Sequence, residues 1–239
     1  MRNTHGRRLR FAALAATGLG SVGLVAAQNA AANIVITEVD AAGSGTTAYG
    51  ADWFELTNTG SAAVDISGWR MDDDSAKFGN AVALNGVSSI GAGKSVIFIE
   101  DTGATDSTLD QNFTAAWFGS SVPAGLTIGN YGGSGVGLST NGDQVNIFDA
   151  SGVNIAKVLF GTSVTGHTFD NTAEGNAVTL TTTSVAGVNG AFNSVTSNEV
   201  GSPGVPILPT PLPAAAWLML SGLGLMGSMV RRRAARSVA

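Results

Sequence analysis

Residues 52–69 read Asp52-Trp53-Phe54-Glu55-Leu56-Thr57-Asn58, Thr59-Gly60-Ser61, two alanines, then Val64-Asp65-Ile66-Ser67-Gly68-Trp69. Phe54 and Leu56 fall on one side of an extended chain, and Trp53, Glu55 and Thr57 fall on the other. That is the two-residue period of a β-strand. Thr59 to Ser61 is a turn signal, and Ser67-Gly68 a second one before Trp69-Arg70-Met71. The same pattern recurs outward from this stretch. Ile34 to Val39 reads as a first strand and Ser95 to Glu100 as the most buried one. Gln144 to Phe148 and Val153 to Phe160 flank Asp149-Ala150-Ser151-Gly152 as a hairpin. Thr179 to Val185 is a last, Thr-rich candidate, and Gly201-Ser202-Pro203-Gly204 opens an extended linker. No long segment of helical period occurs between Asn33 and Gly204, so residues 33–204 are expected to be all-β, a sandwich or barrel.

Both ends of the chain differ from this middle. Arg2, Arg7, Arg8 and Arg10 precede an apolar, Gly/Ala-rich run from Phe11 to Ala27. Residues 1–32 therefore read as a secretory signal peptide with cleavage after Ala27 or Ala32, the alternative being an uncleaved anchor. At the other end, a Pro-rich stretch over 205–213 leads into an uncharged run over 214–230. Arg231, Arg232, Arg233 and Arg236 follow at once in the basic tail, 231–239. As a helix that run spans roughly 25 Å, slightly short of a bilayer core of about 30 Å, and snorkelling arginines narrow the gap. The arginines are expected to stay cytoplasmic, which places the middle of the chain outside.

Proline motif, short span and arginines resemble the PEP-CTERM class of exosortase substrates. The closest form is its VPLPA variant, here Thr210-Pro211-Leu212-Pro213-Ala214 with Thr210 in the valine position. The resemblance covers about the last thirty residues. It implies recognition at Thr210 to Ala214 by an exosortase-like membrane enzyme, and removal of the tail at the inner membrane of a Gram-negative bacterium. The plainer alternative is a permanent C-terminal anchor.

Charge separates the function classes. Of twelve Lys and Arg, only Arg70, Lys77, Lys94 and Lys157 lie between the two ends, against all seventeen Asp and Glu, which leaves the middle near −13. Four scattered cations cannot build a nucleic-acid-binding face, and the field repels polyanions. Cysteine is absent, so there are no disulfides and no thiol nucleophile. His167 is the only histidine outside the signal segment and reads as a loop residue, which excludes multi-imidazole metal clusters. Two G-x-G-x-x-G strings, Gly18 to Gly23 and Gly222 to Gly227, lie in the apolar ends and not in a βαβ unit. Gly91-Ala92-Gly93-Lys94-Ser95 mimics the end of a phosphate loop, but Ser88 stands where the first glycine is needed and a strand follows; it reads as a tight turn.

The middle resembles the lamin tail domain, an immunoglobulin-like β-sandwich. The likeness rests on Ile36-Thr37-Glu38-Val39, on Trp53-Phe54-Glu55-Leu56-Thr57-Asn58 and on Asp65-Ile66-Ser67-Gly68-Trp69. It continues in the Gly91 to Val96 turn and in Leu138-Ser139-Thr140-Asn141-Gly142-Asp143-Gln144-Val145. It runs from Asn33 to about Phe160 and more weakly to Gly204, and it implies a fold and no particular activity. The stretch 106–135, with Trp117 and Phe118, is longer than a minimal version needs and reads as a surface loop. Trp53 and Trp69 read as core aromatics; a carbohydrate-stacking platform on Trp53 or Trp117 is the alternative. Glu55 reads as paired or solvated. Asp72-Asp73-Asp74 reads as a solvated acidic turn, with Ca²⁺ binding as the alternative. Together these give an exported, non-enzymatic structural or binding component of surface polymer. The alternatives are a carbohydrate-binding module that recognises extracellular polysaccharide, and a secreted phosphoesterase or hydrolase accessory domain.

Overall fold

The computed structural model describes residues 34–101, 107–172 and 178–205. Its strands are β1 (Ile34–Asp40), β2 (Trp53–Asn58), β3 (Val64–Asp65), β4 (Arg70–Asp72), β5 (Val82–Asn85), β6 (Ser89–Ile90) and β7 (Ser95–Asp101). After these come β8 (Ile128–Gly132), β9 (Asp143–Phe148), β10 (Asn154–Phe160), β11 (Phe169–Asp170), β12 (Thr179–Leu180), β13 (Phe192–Asn193) and β14 (Val200–Gly201). Two helices interrupt them, the single turn α1 (Gly43–Thr46) and α2 (Ser107–Phe118).

The pairing order β11-β1-β2-β7-β8-β5-β4-β9-β10-β12 folds over into two layers. β5 is the corner, since it pairs with β8 of one layer and β4 of the other. Phe54, Leu56, Val96, Phe98 and Tyr131 from the first layer meet Met71, Leu84, Val145, Ile147 and Val158 from the second in one core. The all-β sandwich expected from the period-two pattern is therefore present, with Trp53 and Trp69 both buried. The hairpin at Asp149 also forms. Its carboxylate accepts from the Ser151 and Val153 amides, and Gly152 takes the left-handed conformation (φ 89°) that closes the turn.

Three expectations are corrected. The stretch 106–135 is no surface loop: β7 and β8 are parallel neighbours, and such a pair needs a crossover, which α2 supplies. Leu109, Phe113, Ala116 and Trp117 turn one face of α2 onto the outer side of the first layer. There, with Phe118, they pack against Tyr49, Trp53, Ile97 and Ile99 in a second apolar cluster. Gly201 to Gly204 is no free linker either, because Gly201, Ser202 and Pro203 are buried against that same outer side. The Thr-rich strand is shorter than read, reduced to β12 and one bridge between Thr183 and Phe169.

Candidate functional site: a carboxyl row under the C-terminal segment

The outer face of β1 and β2 is polar where α2 does not cover it. A β-bulge sets this up: Ile36 pairs with Leu56 and Glu38 with Glu55, so Thr37 is the extra residue. The bulge turns Thr37 outward beside Glu38, and two residues further on Asp40 shares that face. Glu38, Asp40, Glu55 and, from the C-terminal segment, Glu199 are all buried, at 0, 4, 1 and 3 % exposure. Such burial normally requires a cation partner or a bound proton. What surrounds these acids is instead hydroxyls and backbone amides.

Glu38 accepts from the Thr168 hydroxyl (2.5 Å), the Ser202 amide (2.7 Å) and the Ser202 hydroxyl (3.1 Å). Glu55 accepts from the Thr37 hydroxyl (2.5 Å) and the Gly204 amide (2.6 Å). Glu199 accepts from the Tyr49 hydroxyl at 2.9 Å, and Asp40 sits 3.3 Å from the same hydroxyl, which in turn accepts from Trp53 Nε1 at 3.0 Å. Burial, followed by the charge of Glu55, pushes Glu38 up from the ordinary 4.5 to about 8. Burial pushes Glu55 up to about 7 and Glu199 to about 9, the latter helped by the neighbouring Asp40 carboxyl. Burial raises Asp40 as well. Burial, then the charges of Asp40 and Glu199, hold the Tyr49 hydroxyl well above its ordinary value, so it remains a donor. The row binds protons that an unfolded chain would release near neutrality.

Beside the row, at the ends of β7 and β8, Glu100, Asp101, Ser44, Ser134, Gly133 and Leu109 line an open cleft of about 600 Å³. Glu100 is raised there by burial and by the charge of Asp52, which burial itself lifts to about 6.

Other candidate residues are placed as follows. Trp53 and Trp117 are 0 and 1 % exposed and meet edge-to-face at 5.9 Å, so neither presents a face to a sugar. That correction removes the aromatic platform. Glu55 is buried and, among the described residues, has no ion-pair partner. Asp72 is buried and accepts from the Ser75 hydroxyl and the Lys77 amide, both at 2.7 Å, while Asp74 is exposed. The triplet is thus a turn whose carboxylates do not face one point, and among the described residues no group of three or more His, Asp or Glu is arranged to hold a metal. His167 places Nδ1 2.8 Å from the Ser184 carbonyl and bridges to Val164 and Val200. Ala27, Ala32, Thr210, Pro211, Leu212, Pro213, Ala214, Arg231, Arg232, Arg233 and Arg236 lie outside the described residues. Among those described, no helix is long and apolar enough to cross a membrane.

A family model, the Lamin Tail Domain, matches residues 27–162. The chain belongs to the lamin tail domain family. No curated protein matches it. The match ends just after β10, so this lamin tail domain carries β1, β2 and three of the row's four acids within the matched part. Glu199, Ser202 and Gly204, which cover and hydrogen-bond the row, come from the segment that follows it. Sequence reading missed the row because Glu38, Asp40 and Glu55 look like ordinary outward strand residues. The available signal was the absence of any Lys or Arg between Asn33 and Asp65 to partner them.

Proposed function

We propose that this lamin tail domain protein is exported and non-enzymatic, a structural or binding component of the cell surface, handed over at its C-terminus to an exosortase-like membrane enzyme. The observation that carries this reading is the succession of motifs in the sequence of the tail: Thr210-Pro211-Leu212-Pro213-Ala214, an uncharged run, then Arg231 to Arg236. The basic, then apolar start of residues 1–32 supports export, and the −13 middle supports solubility outside the cell. The folded body adds a further support, since its last described residues are fastened to β1 and β2 a few positions before the Pro-rich spacer. A pull on the tail would therefore be borne by the sheet. With the aromatic platform gone, contact with surface polysaccharide would fall to exposed Ser, Thr and Asn side chains.

The acid-lined cleft at Glu100 and Asp101 is the feature a secreted hydrolase would use. Its described lining offers carboxylates and hydroxyls, and the reading rests on the tail and not on this cleft, so the non-enzymatic reading is preferred. The test is intact mass of the protein recovered from membranes and from medium. The expected form begins near Gln28 or Asn33 and ends between Pro211 and Ala214. A single membrane form retaining Arg231 to Ala239 would refute sorting and leave a permanent anchor.

A further inference from the structure

Two carboxyls and one hydroxyl proton meet at Tyr49. The hydroxyl accepts from Trp53 Nε1 and has one hydrogen to give, yet Glu199 and Asp40 both lie within its reach. Glu199 belongs to the C-terminal segment and Asp40 to β1, the single hydrogen can serve only one of them, and Glu199 Oε2 is buried with no hydrogen-bond partner among the described residues. Further along, Glu38 and Glu55 are direct cross-strand partners with no cation between them, and like charges so placed repel. The bonds these two make to the segment run to the Ser202 and Gly204 amides and the Ser202 hydroxyl. The side-chain bonds that fasten residues 199–204 to β1, β2 and the Tyr49 loop therefore all end on a carboxyl of the row. The approach is close: a Cβ on Gly201 would lie 2.6 Å from Glu38 Oε1 and 2.8 Å from the Trp117 ring.

We infer that residues Glu199 to Val205 form a proton-locked strap, seated on the outer face of β1 and β2 while the carboxyl row holds its protons and lifted when the row ionises. Ionisation leaves Glu199 facing Asp40 and Glu38 facing Glu55 as buried like-charged pairs, and lifting the strap returns water to all four. Release starts at the C-terminal end. Gly204 and Ser202 are held chiefly by the row, whereas Glu199 to Gly201 are also held by bonds to Ser194, Gly166 and Thr168 and by the pairing of β14 with β13. The other charged groups around the strap are few. Asp52 lies near Asp40, Asp170 is in register with Glu38, His167 bridges to Val200, and exposed Lys94 borders a small cavity beside Gly204.

The sign follows from proton uptake. Acids raised in the folded state bind protons that the open state releases, so the strap is fully locked below about 4.5 and unlocks as pH rises through about 7 to 9. Lifting the strap frees up to roughly 20 Å of chain, at about 3.4 Å per residue, ahead of the Pro-rich spacer. That consequence for reach rests on the tail reading; the unlocking itself does not, so intact mass and the exchange experiment below fail independently.

The experiment is amide hydrogen exchange on the purified full chain in detergent between pH 5.5 and 9.5, corrected for intrinsic rates. Protection of the Ser202 and Gly204 amides is expected to fall on the order of a hundredfold, while Ile97 and Phe98 in β7 stay protected. Glu199→Gln and Glu55→Gln each remove one ionisation, and each is expected to cut the fall by about tenfold. If one variant does not fold, the other carries the same comparison. Protection independent of pH, loss in step with β7, or variants indistinguishable from the parent would each overturn the strap.

Discussion

Phe113→Ala tests whether α2 is a structural wall of this domain or a decoration on it. Phe113 is fully buried, and its ring lies 5.0 Å from Tyr49, 5.7 Å from Trp53 and 6.2 Å from Trp117. Truncating a buried Phe costs about 3–5 kcal/mol, and aromatic pairs add roughly 0.5–1.5 kcal/mol each, which places this site in the upper part of that range. Alanine's better helix propensity returns only about 0.5 kcal/mol. The net loss is about 4 kcal/mol, against a total stability of roughly 5–15 kcal/mol for a domain. In urea, with a slope of about 2 kcal/mol/M, the midpoint should drop by about 2 M without a change of slope, read by tryptophan fluorescence. Gln111→Ala, on the exposed side of the same helix, should stay within about 0.5 kcal/mol. A loss below about 1 kcal/mol for Phe113→Ala would refute the reasoning, because α2 would then unfold outside the cooperative unit.

Two further substitutions probe the sandwich itself. Asn58 donates to the Ala62 and Ile90 carbonyls at 2.8 and 2.9 Å and accepts from the Gly60 amide at 2.9 Å. Asn58→Ala strands three backbone groups and should cost about 2–4 kcal/mol in chemical denaturation; a loss under about 1 kcal/mol would mean water replaces the side chain. At Gly129 a Cβ would lie 2.6 Å from both the Asn85 carbonyl oxygen and the Phe98 ring. Gly129→Ala should therefore lower stability by about 1–3 kcal/mol through overpacking, and an unchanged melting temperature would show that β5 and β8 can separate at no cost.

How much was legible in the sequence follows from the range of the interactions involved. Alternation in Trp53 to Asn58 and Ser95 to Glu100 is a local consequence of strand geometry, so those strands and the two faces of β2 could be read directly. The Asp149 turn is equally local, since one carboxylate caps its own loop. β8 could not be read: Ile128-Gly-Asn-Tyr-Gly132 has glycines where a strand normally carries β-branched residues, and Gly129 is explained only by Phe98 and Asn85 pressing on it. α2 carries a helical spacing at Leu109, Phe113, Ala116 and Trp117, but it is one short amphipathic stretch in a β-rich chain. What demands a helix there is the parallel pairing of β7 with β8, a fact of topology.

The chain by itself indicated the class of the body and the net charge of its middle, and it carries the stretches at its two ends on which the proposed export and sorting rest, because each depends on residues adjacent in sequence. Only the tertiary structure decided that Trp53 and Trp117 face one another and not solvent. It alone brought Glu199, 150 positions after Tyr49, onto Asp40, and set Ser202 and Gly204 on Glu38 and Glu55. A carboxylate's protonation depends on how much water is removed from it and which charge stands opposite, and both are set by segments far apart in sequence that meet only when the sheet is covered.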